Sequence, residues 1–177
     1  LGNSDGGGML LDSSITVKNC RFENNIATYA GGGLRITDCS ALIENCEFLQ
    51  NSAGYGGGVS TVGFTGNQIF TGCDFVGNSS TSGGCGGAVS SWTCYAEFYE
   101  CNFYNNVGEC GGAIFMATEG AEYWPLVSDS VFCGNLPEDF NSENWVDGGG
   151  NLFMDICSND DCNNNGIDDF QDIIDGT

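Results

Sequence analysis

The sequence predicts an all-β fold: a parallel β-helix (solenoid) of about five coils, followed by a short acidic tail. Three observations carry this. Glycine clusters begin at Gly6, Gly31, Gly56, Gly86 and Gly111, with a sixth at Gly148, at steps of 25, 25, 30, 25 and 37 residues. Each unit closes on a phenylalanine with asparagine three residues on: Phe22/Asn25, Phe48/Asn51, Phe75/Asn78, Phe103/Asn106 and Phe132/Asn135. Between these marks the apolar residues alternate with period two, as half-buried strands require. A helical repeat would need continuous 3.6-residue spacing, which recurring glycine triplets interrupt. A period in the twenties with strand-like content is the signature of a solenoid.

Taken in chain order, each unit has the same parts. The glycines serve corners that need positive φ or close backbone approach. An inward-facing pair follows: Met9/Leu11, Leu34/Ile36, Val59/Thr61, Val89/Ser91 and Ile114/Met116. Val17, Ile43, Phe70, Phe98 and Val127 lie five residues before the phenylalanine, and Cys20, Cys46, Cys73, Cys101 and Ser130 lie two before it. A polar column between them, Asn19, Asn45, Gly72, Glu100 and Asp129, changes the period and marks a bend. Each coil is thus two or three short strands joined by corners. Coils stacked at roughly 4.8 Å would give a rod core about 24 Å long, with like residues in file. The asparagine of each Phe-x-x-Asn is expected at a left-handed corner, its amide bonded to its neighbour one coil away.

Composition bounds the function. A chain of 177 residues is about one domain's worth, and 41% apolar residues suffice for a core. Twenty-four acids against three bases (Lys18, Arg21 and Arg35) give a net charge of −21. That excludes nucleic acid and anionic lipid as partners, because both need cationic patches; divalent cations are the natural counter-ions. No run of 18 apolar residues suggests a membrane span. Eleven cysteines without a histidine argue against most zinc sites and against cysteine–histidine catalysis, and point to an extracellular or cell-surface location. The odd count leaves at least one thiol without a partner within this sequence. Leu1-Gly2-Asn3-Ser4 matches Val76-Gly77-Asn78-Ser79, so the chain is expected to start inside a repeat and to be part of a longer polypeptide.

Individual coils add detail. Arg21 precedes Phe22 in an outward column continued by Glu47 and Asp74, which predicts a surface ion pair. Coil three has five extra residues, expected as a bulging corner around residues 63–67. Asn78-Ser79-Ser80 fits the glycosylation pattern. Cys85 and Cys110 each precede a glycine pair, hence share a corner one coil apart, and are the expected disulfide. The column Cys20/Cys46/Cys73/Cys101 reads as small core hydrophobes or as bridged pairs, and in-coil pairs Cys39–Cys46 and Cys94–Cys101 stay open. Coil five carries about twelve extra residues, including Leu136-Pro137-Glu138-Asp139-Phe140 and Trp145. They are expected as a flap over the open end, with a protruding functional loop as the alternative. Tyr123, Trp124 and Trp145 are offered either to sugar rings or to packing on the rod.

Gly86-Gly87-Ala88-Val89, Gly111-Gly112-Ala113-Ile114 and the five Phe-x-x-Asn sets resemble the paired GGA-aliphatic and FxxN tetrapeptides of chlamydial polymorphic outer membrane proteins. The resemblance covers residues 1 to about 150, with GGG in place of GGA in three clusters. It implies a right-handed β-helical passenger at a cell surface, often adhesive.

After residue 154 the pattern changes. Asp161-Cys162-Asn163-Asn164-Asn165-Gly166-Ile167-Asp168-Asp169-Phe170-Gln171-Asp172 places oxygen side chains at positions 1, 3 and 5, glycine at 6, and acids at 9 and 12. That is an EF-hand-type calcium pattern. It resembles the calcium loops of dockerin and thrombospondin type 3 repeats, which implies Asp161, Asn163, Asn165, the Ile167 carbonyl, Asp169 and Asp172 as ligands of Ca2+. Cys157 and Cys162 are expected to bridge across the loop entrance. The chain therefore divides into β-helix repeats, residues 1–154, and a calcium-binding segment, 155–177.

The expected function is a secreted or surface-displayed structural or adhesive module, stabilised by calcium, with end-to-end self-association into filaments and a glycan or surface ligand as candidate interactions. No enzyme activity is expected. The alternative is a polysaccharide lyase or hydrolase, for which Lys18, Arg21 and Arg35, or the acids Glu47 and Asp74, are the candidates.

Overall fold

The computed structural model describes residues 5–63, 66–81, 83–117, 124–155 and 157. It is a parallel β-helix. One sheet stacks Met9–Leu11, Leu34–Thr37, Val59–Val62, Val89–Trp92 and Ile114–Ala117. A second stacks Ile15–Lys18, Ala41–Glu44, Asn67–Thr71, Tyr95–Tyr99, Leu126–Ser128 and Val146–Gly149. A third stacks Arg21–Glu23, Glu47–Leu49, Asp74–Val76, Asn102–Tyr104, Val131–Cys133 and Leu152–Met154. Every pairing is parallel, so five rungs contribute to all three sheets and a sixth to two. A narrow fourth seam of bridges, Ile26–Ser52–Ser79–Val107–Leu136, closes each coil.

The register puts the phenylalanines in file. Phe22, Phe48, Phe75, Phe103 and Phe132 stack with ring centroids 5.0, 4.9, 4.8 and 4.7 Å apart and planes within 6°. Phe153 adds a sixth ring at 5.0 Å, a member that the Phe-x-x-Asn pattern misses. Val17, Ile43, Phe70, Phe98 and Val127 form the second interior column, with Phe70 and Phe98 stacked at 5.0 Å. Full burial of each such ring contributes about 1.5–3 kcal/mol.

Beside the rings runs an asparagine ladder. The backbone N–H and Nδ2 of Asn51 both donate to Oδ1 of Asn78, at 3.0 Å each, and Nδ2 also donates to the Phe22 carbonyl at 2.8 Å. Asn25, Asn78 and Asn106 donate forward in the same way. The amide-to-neighbour expectation holds, but its corner does not. The left-handed positions are one residue earlier, at Asn24, Gln50, Gly77, Asn105 and Gly134, and at the bend column of Asn19, Asn45, Gly72, Glu100 and Asp129. The ladder asparagines are turned inward, where an amide must be fully bonded, and a left-handed residue before them makes that turn. Asn78 is fully buried in this ladder, so the Asn78-Ser79-Ser80 sequon is no accessible glycan acceptor.

The glycine corners show both uses of the residue. Gly56 has φ of 60°, and a Cβ on Gly57 would lie 2.4 Å from the Ser79 carbonyl oxygen. The extra residues of coil three are not one bulge. Relative to coil two, two precede Gln68, in the corner between the first and second sheets, and three lie between Asn78 and Gly86. Gly148 is likewise no sixth corner of this kind. Gly149 pairs with Ser128, and Gly150, with φ of 73°, continues the bend column.

Coil five ends in a flap, as expected from its extra residues. Phe140 bridges Ile114, its ring lies 5.0 Å from Phe132, and Trp145 stacks on it at 4.8 Å. Asp139 terminates the ladder by accepting from Nδ2 of Asn135 at 2.8 Å, where another asparagine would stand.

Cys85 and Cys110 are bonded, with Cα atoms 4.8 Å apart, as the shared corner predicts. The second bond corrects the expectation at the tail. Cys157 pairs with Cys133, Cα to Cα 5.3 Å, and not with Cys162, which lies outside the described residues. The physical reason is stacking: Cys133 follows Phe132 at the last buried ring, and the chain returns past it after Met154. Cys20, Cys39, Cys46, Cys73, Cys94 and Cys101 are thiols, so neither the column nor the in-coil pairs are bridged. A non-reducing peptide map should therefore join Cys85 to Cys110 and Cys133 to Cys157; recovery of a Cys157–Cys162 peptide would contradict this. Replacing Cys85 and Cys110 together with serine should lower unfolding stability by about 2–4 kcal/mol in denaturant titration.

Candidate functional site

The six calcium-ligand candidates, Asp161, Asn163, Asn165, Ile167, Asp169 and Asp172, lie outside the described residues. So does Tyr123; Trp124 is partly exposed, and Trp145 is packed against the rod.

The three bases are committed to acids, on strand faces for Lys18 and Arg21 and ahead of the first glycine corner for Arg35. Lys18 pairs with Glu44 on the next rung. Arg21 reaches Glu23 at 3.0 Å and Glu47 at 3.1 Å, the expected cross-rung pair, and its hydrogen bond to Glu23 heads the causes that raise its pKa. Arg35 lies 3.7 Å from Asp5, with its guanidinium 5.5 Å from the Tyr29 ring centroid. Next in the Arg21 column, Asp74 accepts from Nδ2 of Asn102 at 2.7 Å. One open hollow of about 770 Å³ runs beside the second sheet, lined by side chains such as Ser14, Ser40, Leu42 and Ile69 and by no charged residue. A smaller one lies at the flap. Neither is lined by Lys18, Arg21, Arg35, Glu47 or Asp74, so the lyase and hydrolase candidates do not converge on either of these two hollows.

The column of thiols is hydrogen-bonded along the rod. Cys20, Cys46, Cys73 and Cys101 follow the rungs, each donating to a carbonyl two residues back. The hydrogen bond with Cys101, reinforced by burial, pushes Cys73 up to about 12, and the bond to Cys73 together with burial raises Cys46. Nucleophilic chemistry needs a thiolate, which the surroundings of Cys46 and Cys73 suppress.

What the outer surface does offer is an aromatic stripe on the first sheet. Tyr29 and Tyr55 precede successive glycine corners, and Trp92 and Phe115 occupy outward strand positions on the next two rungs. Their ring centroids are 5.9, 5.7 and 5.3 Å apart in turn, and the first two contacts are edge-to-face. Ser60 and Ser90 sit beneath them, wholly buried although they alternate with the core-facing Val59, Thr61 and Ser91. Trp92 Nε1 donates to Ser90 Oγ at 2.9 Å, which holds the indole against the sheet. Tyr29 is 42% exposed at the near end of the stripe. Sequence reasoning missed this site because Tyr29/Tyr55 and Trp92/Phe115 occupy different positions of the repeat; only the folded corners bring them together. Among the described residues no group of three or more metal-ligating side chains converges, and no helix is long and apolar enough to cross a membrane. Comparison with protein-family models, curated proteins and solved structures finds no match.

Burial raises the carboxyl of Asp74, with the Asn102 bond opposing and the Glu47 charge assisting, and burial likewise raises Asp139. A carboxyl whose folded pKa exceeds its unfolded value binds more protons when folded. Its contribution to stability is therefore full below the ordinary carboxylate range and is lost as pH rises through the raised folded value. Denaturant titrations from about pH 3.5 to 7 should show stability falling over this limb, and Asp74→Asn should make the fall shallower; an unchanged slope would contradict burial at Asp74.

Proposed function

We propose that this chain is a secreted or cell-surface β-helical module with a structural or adhesive role, clipped by calcium at residues 161–172. The observation that supports it best is the commitment of all three bases to ion pairs, none of them lining either hollow, while an aromatic stripe spans the first sheet. A polysaccharide lyase needs a free base beside bound substrate, and no described cavity presents one. A rod of stacked rungs with a continuous aromatic face suits contact with another surface. The two disulfide pairs are compatible with an extracellular setting. End-to-end self-association is a part of the same proposal: the first and last rungs expose Leu10, Ile15, Leu152 and Phe153 beside strand edges.

One set of measurements tests the reading. Glycan-array and cell-surface binding should be detectable and be lost in Tyr55→Ser/Trp92→Ser; absence of binding by the wild type leaves the scaffold role alone. Release of reducing ends from acidic polysaccharides, abolished by Arg21→Ala, would instead establish the enzyme reading. Terbium luminescence and calcium titration should report one site that Asp161→Ala removes, and calcium should raise the Tm; no binding would refute the calcium clip.

A further inference from the structure

The flap that caps the last rungs encloses an open cup of about 440 Å³. Its wall is aromatic: Phe140 and Trp145 lie parallel, 4.8 Å apart, and Phe153 inclines against them at 6.3 and 5.8 Å with interplanar angles of 59° and 58°. Phe153 is 44% exposed, so one ring of the cluster meets solvent. The rim is acidic, with Glu138 and Glu143 exposed and Asp139 half-buried.

Two facts make this combination more than an acidic loop over an apolar patch. The chain has three bases, and all are spent on acids of the first two rungs, at the other end of the file. Among the described residues neither Glu138 nor Glu143 has an ion-pair partner, and Asp155 adds its charge to that felt by Asp139. In a chain of net charge −21 the counter-charge for this rim must come from outside. The wall decides what kind. A divalent metal needs several oxygens converging on a point, and no such group occurs among the described residues. An ammonium or guanidinium on an apolar stem uses both halves of the cup, its charge against the carboxylates and ring faces and its methylenes against the rings.

We propose that the cup docks a basic side chain of a partner polypeptide, with arginine preferred to lysine. The planar guanidinium stacks on a ring while its N–H fork reaches Glu138 or Glu143, which a point-like ammonium does less well. The acidic residues 160–175 carry the same sign as the rim and are disfavoured as its occupant. This assignment goes beyond the structural or adhesive reading; it shares Phe153 with the proposed end-to-end contact but nothing with the aromatic stripe, and peptide binding by calorimetry is read independently of glycan binding and of filament formation.

The test uses the full chain and a short glycine-spaced peptide carrying two arginines, with its lysine and glutamate counterparts, followed by calorimetry at low and physiological salt. The arginine peptide should bind, the lysine peptide several-fold more weakly, and the glutamate peptide not at all. Glu138→Gln/Glu143→Gln should weaken arginine binding about tenfold. Asp12→Asn/Glu100→Gln, which removes the same charge elsewhere, should change it less than about twofold. Phe153→Ala, at an exposed ring, should narrow the arginine–lysine difference. Equal losses in the two double variants would reduce the effect to non-specific attraction and overturn the proposal. So would an absence of arginine binding, or displacement of the peptide by calcium at constant ionic strength.

Discussion

The fold depends on the fact that a buried amide must use all of its hydrogen-bonding capacity, and that a stack of parallel coils lets one asparagine satisfy the next. Asn78 shows the full pattern. Its Oδ1 accepts twice from Asn51, and its Nδ2 donates to Asn106 and to the Phe48 carbonyl. No other register satisfies these groups. A slip of one residue would turn the amides outward and the phenylalanines with them. The ladder therefore fixes the register, and the stacked rings supply apolar burial once that register is set.

The rest of the architecture follows from holding each coil to one height. Left-handed residues on both sides of each phenylalanine bend the chain so that ring and amide both turn inward. Insertions are confined to corners: coil three distributes its extra residues over two corners and keeps the Phe and Asn columns unbroken. Coil five uses its own to bring Phe140 and Trp145 over the last rings, and Asp139 to occupy the final ladder position. Charge is arranged along the same axis. The bases neutralise acids near the first rungs, and the capped end keeps its carboxylates without internal counter-charge.

The columns were legible in the sequence because each recurs at one offset from phenylalanine, so spacing alone aligned Val17 with Ile43 and Cys85 with Cys110. Three features were not legible, each for a physical reason. The Cys133–Cys157 bond joins residues at different repeat positions, and only the return of the chain past Phe153 brings them together. The cluster at Gly148 has the composition of a first-sheet corner but serves a second-sheet bend, because either corner accepts glycine. Asparagine was assigned to the left-handed position because it tolerates αL well, yet an interior amide ladder sets a stronger demand than backbone preference does. Of the candidate sites, Phe153 carries the ring of the repeat without its asparagine, and the aromatic stripe mixes two corner residues with two strand residues.

A double-mutant cycle between neighbouring ladder residues tests the central claim most directly. Unfolding stabilities of Asn51→Ala, Asn78→Ala and the double variant should be non-additive by on the order of 1–2 kcal/mol, the double variant losing less than the sum of the singles. The pair Asn25 and Asn106, three rungs apart and without a shared ladder partner, should be additive to within about 0.5 kcal/mol. Additivity for the adjacent pair as well would mean that the amides do not act on one another, and would contradict the account.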